Sequence, residues 1–386
     1  MGDSRYKRVS RRHPCLICGK PDWCSRTAND SISFCARVTA GADRLSRKES
    51  WGVFYHDPEL LNQSFLKTGE PRNFSKPPSV EIASAPLEIR DFIYNALIRL
   101  SPASRYESLI TGNKGLRERG LTDYRNYGSL PCSARERKDL AARLRLLLNQ
   151  TFPAYVRENP RGIRHVPGFW TDEAGEACLG QCRDYSQPLL LVPYRNPAGK
   201  IQACQIRFTG FLSPDAKRYL WLSVPKHNSA GCGTPIHFAG WKEFGKSTNT
   251  KPILVTEGAI KADIVNKFLP EYFAIANSGI GCAQDLIVSI SRGKSMMIAF
   301  DSDYHQNPLV IKQLARFLRL RFADDRTSNS HFPTKILHLN AKHKGIDDAL
   351  LNASEIIELT ISQWISVISD ESRSLILNEL DDLVAH

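Results

Sequence analysis

The sequence predicts an α/β protein with a small cysteine-rich module ahead of its main body and helices at its C-terminal end. Three observations lead there. Between residues 253 and 339, short apolar runs alternate with helical patterns and stop abruptly, two of them at carboxylates, as buried parallel strands do. Cys15, Cys18, Cys24 and Cys35 crowd into 21 positions near the start of the chain. Between these regions, residues 187–223 read as strands in which aromatic and cationic residues mix, giving a mixed α+β basic subdomain.

Composition narrows the class. With 386 residues, 42% hydrophobic and 24% charged, the chain has room for about two or three ordinary globular domains. Its net charge of +12 is unusual, and residues 1–50 carry eleven Lys and Arg against five Asp and Glu, half of the excess. Such a basic arm suits a polyanion. No apolar run approaches the roughly 18 residues of a spanning helix, and the N-terminus shows no signal-peptide core. Nucleic acid is therefore expected as partner rather than a membrane, with a cytoplasmic location.

The first module, residues 1–60, opens on a basic arm. His13-Pro14-Cys15-Leu16-Ile17-Cys18-Gly19-Lys20 is a C-x-x-C knuckle followed by glycine, the half-site of a zinc ribbon. Trp23 to Arg26 and Ser31 to Cys35 flank Thr27-Ala28-Asn29-Asp30, a hairpin turn that sets Cys24 nearly opposite Cys35. In a reducing compartment four such cysteines read as structural zinc ligands, with His13 the substitute should Cys24 point away. The other six cysteines are scattered and read as small hydrophobes.

Residues 61–86 form the expected linker, with Pro71, Pro77, Pro78 and Pro86 among polar fillers. Residues 87–250 form the basic subdomain. Helical periodicity runs over Leu87–Leu100 and Ala134–Leu148, the latter capped by Ser133 and dressed with arginines. Leu189 to Arg195, a turn at Asn196-Pro197-Ala198-Gly199, and Lys200 to Phe208 form a hairpin with Arg195 and Arg207 near its ends. Lys217-Arg218-Tyr219-Leu220-Trp221 follows, and cations beside aromatics fit a nucleotide or single strand.

One motif misleads. Gly240-Trp241-Lys242-Glu243-Phe244-Gly245-Lys246-Ser247 matches the Walker A pattern. A phosphate-cradling loop must lead into a helix, whereas this one leads through Pro252 into a strand, and Trp241 and Phe244 occupy positions that want small residues.

Residues 251–352 carry the chemistry. Ile253-Leu254-Val255-Thr256-Glu257 and Met296-Met297-Ile298-Ala299-Phe300-Asp301-Ser302-Asp303 are strands whose acidic ends share one sheet edge, the usual ligand site. Three carboxylates brought together repel unless a cation joins them, which points to Mg²⁺. Ala259–Phe268 is a helix that places Lys261 one turn beyond Glu257, and Lys344-Gly345-Ile346-Asp347-Asp348 supplies acids after a fourth strand, Thr334–Leu339. Residues 353–386 are read as helices, amphipathic from Glu355 to Val384 in two pieces around Ser369-Asp370.

Taken together, the Glu257-Gly258 and Asp301-Ser302-Asp303 strand ends and the later Asp347 resemble the TOPRIM domain of primases, topoisomerases and some nucleases. Leu191 to Arg195, Gln205-Ile206-Arg207 and Lys217 to Leu220 are similar to the basic subdomain of bacterial DnaG-type primases, and Arg119-Gly120-Leu121-Thr122 resembles a turn near the start of that core. The zinc module stands in the same order, over roughly residues 13–352. The cysteine pattern and Lys344 to Asp348 look most like primase-like proteins of plasmids, phages and other mobile elements. Two departures stand out: the ribbon's second knuckle holds one cysteine, and Gly345 replaces an expected aspartate.

The resemblance implies a TOPRIM fold over residues 251–352 and a primase that makes short RNA primers on single-stranded DNA from NTPs, with a separate helicase as partner. Asp301 and Asp303 would hold Mg²⁺ or Mn²⁺, with Asp347 or Asp348 serving a further ion. Glu257 would ligate through water or act as general acid/base. Lys261, Arg207, Lys217 and Arg218 would neutralise phosphates. A TOPRIM nuclease and a non-catalytic DNA-binding adaptor are the alternatives.

Overall fold

The computed structural model describes residues 6–28, 30–39, 42, 44–45, 51–56, 82–111, 115–210, 218–224, 227–244, 250–302, 307–329, 332–340 and 342–381. The chain divides into two compact units, residues 1–80 with 303–316 and 369–381, and residues 81–302 with 317–368 and 382–386. Most of the expected linker, residues 61–81, lies outside the described residues.

The first unit contains the ribbon. Strands β1 (Tyr6–Arg8), β2 (Ser25–Thr27), β3 (Ile32–Cys35), β4 (Arg44–Leu45) and β5 (Gly52–Tyr55) pair antiparallel in the order β1-β2-β3-β5-β4. The hairpin turn forms where its residues demand it: the Asp30 N–H donates to the Thr27 carbonyl at 3.1 Å, and the Ile32 N–H donates to the Thr27 hydroxyl at 3.0 Å. Ser25 then faces Phe34, so Cys24 stands opposite Cys35. The core is tiny, little more than Val9, Cys15, Cys24 and Cys35 with Ile17, Val38 and Phe54 around them.

The second unit begins with α1 (Leu87–Leu100), then β6 (Gly128–Leu130) and α2 (Ala134–Thr151). The short hairpin β7 (Phe169–Thr171) and β8 (Ala177–Leu179) precedes β9 (Leu189–Arg195), β10 (Ile201–Arg207) and β11 (Tyr219–Trp221), which form an antiparallel sheet β11-β10-β9-β6. Ile89, Ile93 and Leu97 of α1 and Leu140, Leu144 and Leu148 of α2 recur at one-turn spacing and bury against Leu189, Leu191 and Ile206. The expected hairpin turn is present. Gly199 takes φ +79°, open to glycine, and the Asn196 side chain accepts the N–H groups of Ala198 and Lys200.

The same unit continues with β12 (His237–Phe238), β13 (Ile253–Glu257), α3 (Ala259–Phe268), β14 (Phe273–Asn277), α4 (Gln284–Ile290) and β15 (Met296–Ala299). Helix α5 (Pro308–Thr327), β16 (Thr334–Leu339), α6 (Ile346–Leu351), β17 (Ile356–Thr360), α7 (Ile361–Val367) and α8 (Asp370–Asp381) follow in the chain. The six-stranded sheet has the order β12-β14-β13-β15-β16-β17. Its inner strands are parallel and its two edges antiparallel. Because β14 and β15 are buried along their whole length, their sequences are unbroken apolar runs rather than alternating ones. The expected α/β class thus holds: a four-cysteine ribbon, a mixed middle, a mainly parallel sheet flanked by helices, and helices at the end.

One element differs from expectation. Helix was expected from Glu355, yet Ile356–Thr360 is an edge strand and helix starts at Ile361. The break near Ser369 stands where it was expected. Thr360 and Gln363 form a reciprocal capping box that sets the helix start, and the β-branched residues before it pair with β16.

The Walker-like segment is packing material. Trp241–Phe244 makes a single helical turn; the Phe244 ring meets Phe238 and Phe273 edge-on at 5.0 and 5.2 Å, and the Trp241 indole lies against Gly199. Residues 245–249 lie outside the described residues. No described helix is long and apolar enough to cross a membrane.

Candidate metal centre and acidic sheet edge

Four cysteines converge in the ribbon. Among the described residues, Cys15, Cys18, Cys24 and Cys35 are the group of His, Cys, Asp or Glu side chains whose ligand atoms all lie within 4.8 Å of one another. The knuckle is held by the Gly19 N–H donating to the Cys15 carbonyl at 2.8 Å and the Cys15 N–H donating to the Lys20 carbonyl at 3.0 Å, with Gly19 at φ +66°. Tetrahedral zinc at about 2.3 Å from each sulfur sets sulfurs about 3.8 Å apart. Here Cys18 and Cys24 are 3.6 Å apart and Cys24 and Cys35 3.8 Å. The Ala36 N–H donates to Cys24 Sγ at 3.4 Å and the Val38 N–H to Cys35 Sγ at 3.3 Å. Cys15, Cys24 and Cys35 drive Cys18 far below the ordinary thiol value, while Cys15, Cys18 and Cys35 drive Cys24 above it. One divalent cation would satisfy all four sulfurs, so the donor set fits structural zinc. Cys24, not His13, completes it, because the His13 side chain is exposed.

The second site lies at the carboxyl edge of the parallel sheet. Strand β13 delivers Glu257 there, in register with Asn277 of β14. Thr256 faces Ala299 of β15, so Asp301 emerges at the same edge just past that strand. Helix α3 carries Lys261 on its first turn, and α6 carries Asp347 on its own. A Cβ built on Gly345 would lie 2.7 Å from Asp347 Oδ1, 2.9 Å from Lys261 Nζ and 3.0 Å from Asp301 Oδ1. Three charged groups therefore surround one glycine. Glu257 stands near Gly279, its Oε1 3.9 Å from the corresponding Cβ position. Asp348, one residue on, points about 100° further round the helix than Asp347. Asp303 lies outside the described residues.

These acids are not left to repel one another. Lys261 donates to Asp301 and Arg119 donates to Asp347, while Lys344 Nζ approaches Asp301 Oδ2 at 3.9 Å. Burial would lower the pKa of Lys261, but Asp301, Asp347 and Glu257 outweigh it and raise the value. Two of the acids, Asp301 and Asp347, are thus already met by cations of the chain itself. Asp347 is buried, and among the described residues its Oδ1 has no hydrogen-bond partner, although it faces the space beside Gly345. Asp301 and Asp347 thus fit a divalent cation in place of Lys261 and Arg119.

Beside this edge stands an arginine cluster. Arg207 is fully buried, with its guanidinium 5.7 Å from the Tyr219 ring centre. Burial lowers its pKa, Tyr219 pulls the other way, and nearby Arg119 and Arg218 add to the lowering. Arg207, expected to neutralise phosphates, is thus buried rather than open to solvent. Arg218 is half-buried and donates to the Phe208 carbonyl at 2.9 Å. Lys217 lies outside the described residues. Sequence reasoning missed Arg119 as a partner of Asp347, although it had singled out the turn that carries it.

No protein-family model matches the chain, and no curated protein matches it. Among solved structures, the chain is similar to the zinc-binding and RNA polymerase domains of the Aquifex aeolicus primase, with 14% identity and a TM-score of 0.43 over 100% of this chain and 92% of that one. It is similar to a DNA primase domain from Pseudomonas aeruginosa, with 14% identity and a TM-score of 0.44 over 77% of this chain and 96% of that one. It is also similar to a DnaG primase catalytic domain bound to single-stranded DNA, with 13% identity and a TM-score of 0.43 over 78% of this chain and 94% of that one. At such scores the case for the site stands on its own geometry.

Proposed function

We propose that this chain is a primase-type nucleotidyltransferase that makes short RNA primers on single-stranded DNA, with its TOPRIM-like core in residues 251–352. One observation carries the reading: Asp301 and Asp347 turn oxygens into one small space beside Gly345, at the edge of a parallel sheet where ligands collect. Asp301 and Asp347, with Glu257 and Asp303, would hold Mg²⁺ or Mn²⁺. Bound there, the cations would stabilise charge on the attacking and leaving oxygens of in-line transfer. Glu257 takes the proton of the 3′-hydroxyl or positions a water that does. Lys261 and Arg119 neutralise the acids before substrate arrives and turn to its phosphates afterwards. Arg218, Lys217 and the field of Arg207 attract triphosphate and template. The ribbon and its basic arm grip the template, an attachment that weakens steeply as salt rises. A separate helicase would supply unwinding, and a role in replicating a mobile element is the reading that the cysteine pattern and Lys344 to Asp348 favour.

The test is incubation with single-stranded DNA, labelled NTPs and Mg²⁺. The wild-type chain should yield short RNA, and Asp301→Ala and Glu257→Gln should lower the yield by about a hundredfold or more. Undiminished synthesis by Asp301→Ala would sink the assignment, and nicking of labelled DNA without synthesis would make the chain a nuclease. A second reading, a DNA-binding adaptor without chemistry, is favoured by the pairing of both acids with cations. It predicts DNA binding with neither product.

A further inference from the structure

A cavity of about 340 Å³ opens on another face of α3, walled by the 121–127 segment, β9, β12 and the Walker-like turn. Lys261 serves the acidic edge, whereas Asp263, Asn266 and Lys267, spaced as neighbours on one helical face, line this cavity. Three cations from separate elements also line it: Arg195, Lys242 and Lys267. The two acids in the wall are already satisfied. Asp263 accepts from the Tyr127 hydroxyl at 2.5 Å and from His237 Nε2 at 3.0 Å. The histidine tautomer follows from its other nitrogen, since His237 Nδ1 accepts the Arg195 backbone N–H at 3.1 Å and Nε2 must carry the proton. Burial and the Asp263 charge raise the Tyr127 pKa well above the ordinary phenol value, which keeps its hydroxyl a donor. Asp123 accepts from Arg125 Nε at 3.0 Å and from Asn126 Nδ2 at 3.1 Å.

With its acids engaged internally, the cavity presents net positive charge. It also presents the Trp241 indole, with Lys242 Nζ 5.6 Å from the ring centre, and the amides of Asn126 and Asn266. Its volume is at the small end of ligand pockets, room for one ring system and a phosphate rather than for a polymer. The Walker-like turn thus contributes its tryptophan and a lysine to the cavity wall.

We propose that this cavity binds a nucleoside monophosphate, its base against Trp241 and its phosphate among Lys242, Lys267 and Arg195. The site is independent of nucleotidyl transfer, needing neither Mg²⁺ nor Asp301. Calorimetric titration of the full chain with AMP in EDTA, beside adenosine and inorganic phosphate, tests it. One AMP should bind per chain, more tightly than either fragment, and Lys242→Glu and Lys267→Glu should each weaken binding by about tenfold to a hundredfold. Asp301→Asn should leave it unchanged. Lys242 is exposed, so Lys242→Glu should melt with the wild type and its binding result stands on charge alone. Absence of AMP binding by the wild type, equal affinity in both Glu variants, phosphate binding as tightly as AMP, or loss of binding in Asp301→Asn would each overturn the proposal.

Discussion

The four-cysteine cluster and the acidic sheet edge both gather groups that need positive charge, and they obtain it differently. In the ribbon the four sulfurs lie within 4.8 Å of one another, and the surrounding core is hardly larger than the cluster itself. At the sheet edge Asp301 and Asp347 each meet a cation of the chain, over a sheet whose strands β14 and β15 are buried from end to end. With so small a core, zinc binding would stabilise the ribbon's fold, whereas the sheet edge has ion pairs of its own. The carboxylates at the sheet edge already have lysine and arginine partners, so a cation there would compete with the chain's own charges.

Stripping zinc gives the largest expected effect. In small zinc modules metal binding is worth about 10–16 kcal/mol at neutral pH, and here it exceeds anything that so small a core supplies. A chelator, or Cys24→Ser, should remove zinc and expose residues 6–56 to protease while residues 87–302 stay protected. Continued protection of the ribbon without zinc would end the contrast.

Next is Lys261→Met, which leaves Asp301 without its main partner in a mostly buried setting and should cost about 3–5 kcal/mol. If a cation can take the place of Lys261, Mg²⁺ should raise the melting temperature of this variant more than that of the wild type. The pH dependence has a definite sign. Because the Lys261 pKa is raised, its contribution is complete below the ordinary lysine value of about 10.4 and fades only as pH climbs through the higher folded value. The stability gap between wild type and variant should thus stay level from about pH 6 to 9; a gap that shrinks across that range would remove Lys261 from the balance.

The smallest effect is expected from Gly345→Ala. Its methyl would strike Asp347 Oδ1, Lys261 Nζ and Asp301 Oδ1, all side-chain ends that can yield. Stability should fall by only about 1 kcal/mol, while primer synthesis falls far more because the acids are displaced. A variant as active as the wild type would show that the space beside Gly345 is not where chemistry occurs. The same contacts give a physical reason for glycine at this position: a larger side chain would enter the space that the two oxygens share.

Much of this was legible in residue order because short-range physics decides it. Continuous apolar runs ending at Glu257 and Asp301 can be buried on both faces in only a few ways, and a parallel sheet is one. The turn at Thr27 to Asp30 set Cys24 against Cys35 by strand register alone. The Thr360-to-Gln363 capping box was also legible and was overlooked, which is why helix was expected where β17 lies. Charge partnership was a different matter. Arg119 and Asp347 are far apart in the chain, and only the packing of the Arg119-Gly120-Leu121 turn near α3 and α6 brings them together. The burial of Arg207, the proton on His237 Nε2 and the cavity beside Trp241 likewise have no local signature.

Sequence by itself determined where the strands end and which residue types stand at those ends, because backbone periodicity and turn chemistry act over a few residues. Tertiary structure alone decided which charge answers which. Ion pairing depends on distance through space, and a carboxylate's role turns on whether its nearest positive charge is a metal or the chain's own lysine or arginine.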